Sequence, residues 1–383
     1  MGKAVDKVQE QETRSASPAA ANAPQSKIVK TLVSVVPWLI IAGLLWAGLF
    51  IKPQPVGMTV QPPVMEQRDY YYGLAVLPGQ RRWLAGSNGK IIQIDGEGHA
   101  SLLVAGAAQT LQDIAAWDET RGLAVGNEGV VVRTADGGKT WQEVADVPKS
   151  EVANKLNRVR LGPEGVAVAT GEMGALLATQ DYGEHWRRLR PEEDQAWNDV
   201  ALLPGKKLVA VGEFGRIAIS ADNGATWADI KAPIEVSLMS VAFRDAQNGL
   251  AVGLEGTVLK TENGGETWHA LDVAAHEHLY DIVWDAARDR WIGAGNLGRW
   301  LMVDAGGKME SGRLDAQDLT WHVRAVPEGD RIWFIGANVG RWDGKTWSPL
   351  DESWQPRALM GLPVNSDKKD DCWRGQSWSR TGC

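Results

Sequence analysis

The sequence predicts an all-β fold: a seven-bladed β-propeller preceded by a single N-terminal transmembrane helix. Three observations carry this expectation. A glycine-anchored hairpin recurs along most of the chain, the 383 residues hold 19 Trp against 5 Tyr and 4 Phe, and one uncharged apolar run lies near the N-terminus. Tryptophan in such excess is what copying of one Trp-bearing unit leaves behind.

The apolar run, Leu32 to Ile51, reads LVSVVPWLIIAGLLWAGLFI. Twenty residues rising about 1.5 Å each match the roughly 30 Å of a bilayer's hydrocarbon core. Trp38 and Trp46 stand towards its ends, where amphipathic rings favour the interface, and Pro37 falls in the first turns. Lys3, Lys7, Arg14, Lys27 and Lys30 precede the run, whereas only Lys52 follows closely. The positive-inside rule then leaves the N-terminus in the cytoplasm and the remainder outside. The run is too long for a signal-peptide core and no A-x-A site follows it, so residues 28–51 are expected to be an uncleaved signal anchor. Residues 1–26, rich in Ala, Ser, Pro and Gln, are expected to be a disordered cytoplasmic tail. The four prolines of residues 52–68 suit a semi-rigid linker. The expected location is a bacterial inner membrane, crossed once, with the propeller in the periplasm.

The hairpin has the form apolar strand, G-x-x-G, apolar strand. It occurs as AGSNGKIIQI, VGNEGVVVRT, TGEMGALLAT, VGEFGRIAIS, VGLEGTVLKT and AGNLGRWLMV, and GANVGRW is a seventh form with Ala337 at the lead glycine position. The leads, Gly86, Gly126, Gly171, Gly212, Gly253, Gly295 and Ala337, are spaced 40, 45, 41, 41, 42 and 42 residues apart. A period in the low forties with several short strands per copy is a propeller signature. In one copy, Trp197–Leu203, Leu208–Val211, Arg216–Ser220 and Thr226–Ile230 are four strands divided by turns rich in Gly, Pro, Asn and Asp. One four-stranded sheet this short cannot bury both faces, but seven packed in a ring can. The propeller is assigned to residues 70–355 and a ring-closing segment with a flexible tail to 356–383.

Each third-to-fourth turn carries a further motif: TADGGKTW, TQDYGEHW, SADNGATW and TENGGETW. Asp136, Asp181, Asp222 and Asn263 are placed to accept hydrogen bonds from turn N–H groups. Trp141, Trp186, Trp227 and Trp268 are placed to pack between blades with the indole N–H bonded. DGKTW near residue 347 is a shortened copy, and the first and sixth units lack the Trp. An asparagine at 263 argues that these turns are folding staples, since a catalytic carboxylate would not tolerate that exchange.

This turn resembles the Asp box of the bacterial neuraminidase repeat. A sialidase-like glycoside hydrolase is accordingly the enzymatic alternative, yet the Arg-Ile-Pro segment of that family is absent. Tyr70, Tyr71 and Tyr72 read as ring-closing packing. The full unit, as in VGEFGRIAISADNGATW, resembles more closely the photosystem II stability/assembly factor family of seven-bladed propellers, over about residues 70–350. The resemblance implies a non-catalytic scaffold or assembly factor on the periplasmic or lumenal side of a membrane. Its partner would be an integral membrane protein or complex in the same membrane. The helical anchor points to a non-photosynthetic member serving an envelope complex, for which the resemblance suggests transporters of the resistance-nodulation-division type.

No nucleic acid or cofactor is expected. A net charge of −8 opposes phosphate binding, and the 2 cysteines, Cys372 and Cys383, cannot form a Cys-rich zinc site. No HExxH helix occurs among the 6 His. The protein-interaction face is placed on the loops before the inner strands and the second-to-third turns. Asp113, Arg158, Asp199, Ser240, Asp281 and His322 stand at the pre-strand positions, and Arg216, Arg299 and Arg341 directly after G-x-x-G. Glu128, Glu172, Glu213 and Glu255 add acidic character to the middle blades. Asp113, Asp199 and Asp281, on alternate blades, are also spaced to hold a cation in the channel. Cys372 and Cys383 would be free to pair in an oxidising compartment or to remain thiols.

Overall fold

Seven four-stranded antiparallel sheets follow one another in chain order, each built from four consecutive strands. The computed structural model describes residues 27–50, 64–66, 68–274 and 276–350. The tail 1–26, most of the linker, the segment 356–383 and both cysteines lie outside the described residues. The chain divides into two units at Pro62/Pro63.

In the first unit a helix runs Lys27–Phe50 with Pro37 inside it. Side chains are described for residues 34–49, and Trp38, Leu39, Leu44 and Leu49 are all exposed. Among the described residues no helix is long and apolar enough to cross a membrane.

In the second unit, the innermost strands of the blades are Tyr71–Val76, Leu111–Ala116, Leu156–Leu161, Trp197–Leu203, Leu238–Phe243, Leu279–Asp285 and His322–Glu328. Short strands rich in Val, Ile, Leu and Ala pack face to face, so each core lies between neighbouring blades. Leu123, Val125 and Val131 of the second blade meet Leu156, Ala167 and Leu177 of the third. Burying one such Leu or Ile contributes about 1.5–3 kcal/mol. The first and last blades meet in the same way, through Leu74, Leu84 and Ile92 against Trp333 and Ile335. Each described blade is made of its own four strands, so among the described residues packing closes the ring and no strand is exchanged between its ends.

The fourth blade forms Trp197–Leu203, Lys207–Gly212, Ile217–Ser220 and Ala228–Ile230, close to the expected strands. Its outer strand starts later because Thr226 stays in the turn, held by Asp222. The lead glycines have a steric reason: a Cβ on Gly126 would lie 2.2 Å from the Thr110 carbonyl oxygen.

The seventh blade corrects the expected register. Gly336, not Ala337, is the lead residue: it pairs with His322 as Gly126 pairs with Leu111. A Cβ on Gly336 would meet the Trp321 carbonyl oxygen at 2.1 Å. The next strand, Val339–Trp342, starts after two residues, so the hairpin is shorter than its counterparts. Arg341 therefore pairs with Trp333 inside that strand and does not follow a G-x-x-G turn.

All seven inner strands carry a register shift at their start, between the first and third residues. Such a bulge re-aims side chains. The second residue (Tyr72, Gln112, Asn157, Asn198, Met239, Tyr280, Val323) is unpaired, and the third is turned across the channel.

Candidate functional site

The third residues are Gly73, Asp113, Arg158, Asp199, Ser240, Asp281 and Arg324, the last pairing with Ile335 as Asp113 pairs with Val125. The residues expected on pre-strand loops thus lie inside the strands. His322 is displaced by two positions from the expected equivalence: it is buried against Phe334 and Trp347, and Arg324 takes the channel place.

These side chains bind one another. Arg158 Nη1 donates to Asp281 Oδ1 at 2.7 Å. Arg160 grips Asp199 through Nε at 2.9 Å and Nη2 at 2.7 Å. Arg324 reaches from the seventh blade to Asp113 in the second, Nε to Oδ1 at 3.3 Å. Ser240 Oγ donates to Asp199 Oδ2 at 2.8 Å. The carboxylates also cap edge amides of the following blades, Val159 N to Asp113 Oδ2 at 3.0 Å, Val241 N to Asp199 Oδ2 at 3.1 Å and Ala325 N to Asp281 Oδ2 at 2.9 Å. Burial alone would raise the Asp199 carboxyl, but Arg158 and Arg160 outweigh it and hold the group well below the usual carboxylate range. The layer is a buried, internally neutralised plug. With the carboxylates committed to guanidiniums and amides, the spacing on alternate blades makes no free ligand set for a cation.

The plug divides the channel. On the side where chains enter the inner strands lies a cavity of about 430 Å³. Tyr72, Tyr280, Trp321, Met239, Asn157 and Asn198 line it with Lys155, Glu172 and Glu213. Trp321 is held against Tyr72 (centroids 5.8 Å apart) and Tyr70 (5.6 Å), so these tyrosines pack the seam as expected. Tyr71 is buried and bonded to Asp69; burial and then that carboxylate push its phenol far above the ordinary value. Glu172 and Glu213 brace the mouth by accepting from Lys155 N (3.1 Å) and Ala196 N (2.8 Å). On the opposite side a cavity of about 560 Å³ is walled by the three residues that follow the plug position on each inner strand.

The rim arginines are not gathered into a patch. Arg216 pairs with Glu193 and lies 4.2 Å over the Trp197 ring. Arg299 pairs with Glu277. Arg341 stacks 5.4 Å over Trp333, and burial lowers its guanidinium's affinity for the proton. Each cation already has a partner, which removes much of the sign asymmetry expected of that face. The plug residue Arg324 and the mouth residues Tyr280 and Trp321 were not singled out by sequence. Tyr280 had one signal, the aromatic or polar residue that precedes the channel position in five of the seven inner strands, and the bulge hid its meaning.

The turn motifs form local staples. Thr140 N and Oγ1 donate to the two oxygens of Asp136 at 2.9 and 2.7 Å, and Asp222 holds Thr226 likewise. Asp181 accepts from His185 N at 3.0 Å. Asn263 accepts from Thr267 N at 2.9 Å and donates to its hydroxyl at 2.9 Å, doing the carboxylate's work without charge. Trp186, Trp227 and Trp268 donate to Gly183, Gly224 and Gly265 carbonyls at 3.2, 3.2 and 2.8 Å. Trp141 departs from the pattern: its indole N–H has no partner among the described residues, and the ring packs edge-on against Trp83 at 5.1 Å. Asp181, Glu184 and His185 lie close together, but they are the turn's own bonding groups.

A family model described as photosynthesis system II assembly factor YCF48 matches residues 99–198 and 219–292. Those two segments, which make up under half of the chain, are similar to this family. Among solved structures, YCF48 bound to D1 peptide is 17% identical with a TM-score of 0.58, covering 70% of this chain and 91% of that one. YCF48 from Cyanidioschyzon merolae is 16% identical with a TM-score of 0.57, covering 72% and 95%. A streptogramin B lyase is 12% identical with a TM-score of 0.60, covering 72% and 93%. At these identities the likeness is one of fold, and the fold hosts assembly factors and enzymes alike. No curated protein matches the sequence.

Proposed function

We propose that this chain is a non-catalytic, membrane-tethered scaffold or assembly factor whose mouth face receives an exposed segment of an integral membrane protein. The observation that carries it is where the propeller leaves large apolar side chains in water. Of the seven large apolar side chains that the described propeller residues leave exposed, Tyr70, Val104, Val152, Phe214 and Leu319 stand on loops of the mouth face, against Leu102 on an outer strand and Val76 at the opposite rim. They surround a cavity of aromatic and amide side chains suited to a peptide. Beyond the neutral plug, the cavity has two carboxylates, Glu172 and Glu213, and one ammonium, Lys155, a balance that favours a segment carrying a basic residue. The D1 peptide bound in one YCF48 structure supports a protein ligand. The commitment of the channel carboxylates to the plug disfavours a sialidase-like reaction, which needs a free acid and nucleophile.

The tether in this reading is the helix Lys27–Phe50, with its exposed Trp38, Leu39, Leu44 and Leu49, set in a bacterial inner membrane with the propeller in the periplasm. A transporter of the resistance-nodulation-division type is the complex suggested by the family resemblance. The test is affinity recovery of the tagged full-length chain from detergent extracts. A stoichiometric membrane protein is expected, and it should be lost on Phe214→Ser together with Leu319→Ser, which touch no core. Recovery of the chain alone from several detergents overturns the proposal, as does glycoside turnover abolished by Asp281→Asn.

A further inference from the structure

The second cavity differs in chemistry from the mouth. Its outer wall is formed by Val76, Leu161, Leu202, Phe243, Trp284 and Pro327, one from each of six blades, with alanine at the remaining position. Three residues of strand give a depth of about 10 Å. The floor is the ion plug, in which Asp113, Asp199 and Asp281 are matched by Arg158, Arg160 and Arg324. That floor offers no net attraction to either a cation or an anion. It does offer unspent donors. Arg160 uses Nε and Nη2 on Asp199, while its Nη1 has no partner among the described residues and the side chain is 31% exposed. Val159, Val241 and Ala325 have their edge amides capped by carboxylates. Among the described residues no side chain caps the equivalent amides of Leu74 and Ile114. The neighbour of Leu74 is the donor Arg324, and the neighbour of Ile114 is Gly73, where a Cβ would lie 2.7 Å from Ile114 N. Leu74, Ile114 and Arg160 all line the cavity.

We infer that this funnel is a binding site for a small, uncharged molecule that joins an apolar body to a hydrogen-bond acceptor, such as a ketone, amide or ester. Its volume falls within the roughly 300–1,000 Å³ of ordinary small-molecule sites. The ligand's apolar body would lie against the wall, with its acceptor turned to the floor. The site is independent of the mouth, from which the plug separates it.

The test uses the full-length chain in lipid nanodiscs without detergent. The probe is a neutral aliphatic ketone bearing an alkyl diazirine, and labelled peptides are mapped by mass spectrometry. Saturable labelling is expected on the strands Trp197–Leu203, Leu238–Phe243 and Leu279–Asp285. Excess unlabelled ketone should compete, and a hydrocarbon of equal length should compete roughly tenfold less well, the loss set by the acceptor's hydrogen bond. Val76→Lys, at an exposed rim position that leaves folding intact, should reduce the funnel labelling at least tenfold, because it charges the wall. Phe214→Ser, on the opposite face, should leave it unchanged even if a protein partner is lost. Labelling confined to the helix and outer surfaces overturns the inference, as does labelling indifferent to Val76→Lys. Crosslinks from the funnel to another protein would assign it to a protein loop and overturn the small-molecule reading.

Discussion

The Arg82 guanidinium clasps the Glu328 carboxylate through Nε at 2.7 Å and Nη2 at 2.8 Å, joining the first blade to the seventh. Trp333 donates to the same carboxylate at 2.7 Å, and Arg82 lies 5.3 Å over its ring. Both charged side chains are largely shielded, at 12% and 18% exposure, so the bonds are only weakly screened. Glu328→Ala should therefore cost about 1.5–3 kcal/mol, the range for hydrogen bonds to charged groups. Amide exchange should quicken first in Tyr71–Val76 and Arg331–Gly336. Uniform quickening in every blade would show that the seam is not where the ring opens.

The turn staples depend on a buried hydroxyl as much as on the acid. Ser220 Oγ accepts from Gly224 N at 2.8 Å and donates to Asp222 at 2.8 Å. Ser220→Ala leaves a buried N–H without a partner, and urea unfolding should show a loss of roughly 1–3 kcal/mol. Thr226's hydroxyl and amide draw the Asp222 carboxyl down to about 2. The folded value lies below the unfolded one, so this contribution is full above about pH 4 and fades as the pH falls towards the folded value. Asp222→Asn should fold normally, as Asn263 does, and should flatten that acid limb of the stability profile.

Asp281 accepts from Arg158 at 2.7 Å and from Ala325 N at 2.9 Å, and it competes with Asp199 for the Ser240 hydroxyl, 3.1 Å away. Removing it strands a buried guanidinium. Asp281→Ala should cost about 3–5 kcal/mol in chemical denaturation. Near-neutral behaviour would mean that water enters the plug and restores the missing bonds.

His322 is fully buried, with Nε2 2.7 Å from Asn338 Oδ1 and no partner at Nδ1 among the described residues. Burial lowers its proton affinity, and the bond to Asn338 only partly offsets this. The folded value is depressed, so stability is highest above the unfolded value near about 6.5 and declines as the pH falls below it. Urea midpoints between about pH 7.5 and 5 should drift downwards. His322→Gln should abolish that drift, and a drift unchanged in the variant would place its origin elsewhere.

Local chemistry was the legible part. The four-strand unit, its turns and the Asp222 and Asn263 staples are written in neighbouring residues, and six of the seven lead glycines were identifiable by eye. The seventh was not, because GANVGRW contains a glycine at a plausible spacing while its hairpin is shorter, which moved the lead to Gly336 and drew Arg341 into a strand interior. His322 and Arg324 were confused for the same reason: the bulge that decides which side chain faces the channel involves spacing between strands and has no composition of its own.

The count of blades and the role of the turn tryptophans follow from pairings within about 40 residues, where turn and strand preferences are encoded in adjacent positions. Tertiary structure alone decided that Asp113, Arg158, Asp199 and Asp281 neutralise one another within a closed channel. Arg324 and Asp113 are 211 positions apart. Only closure of the ring brings them within bonding distance, turning what looked like a charged rim into a plug between two cavities of the channel.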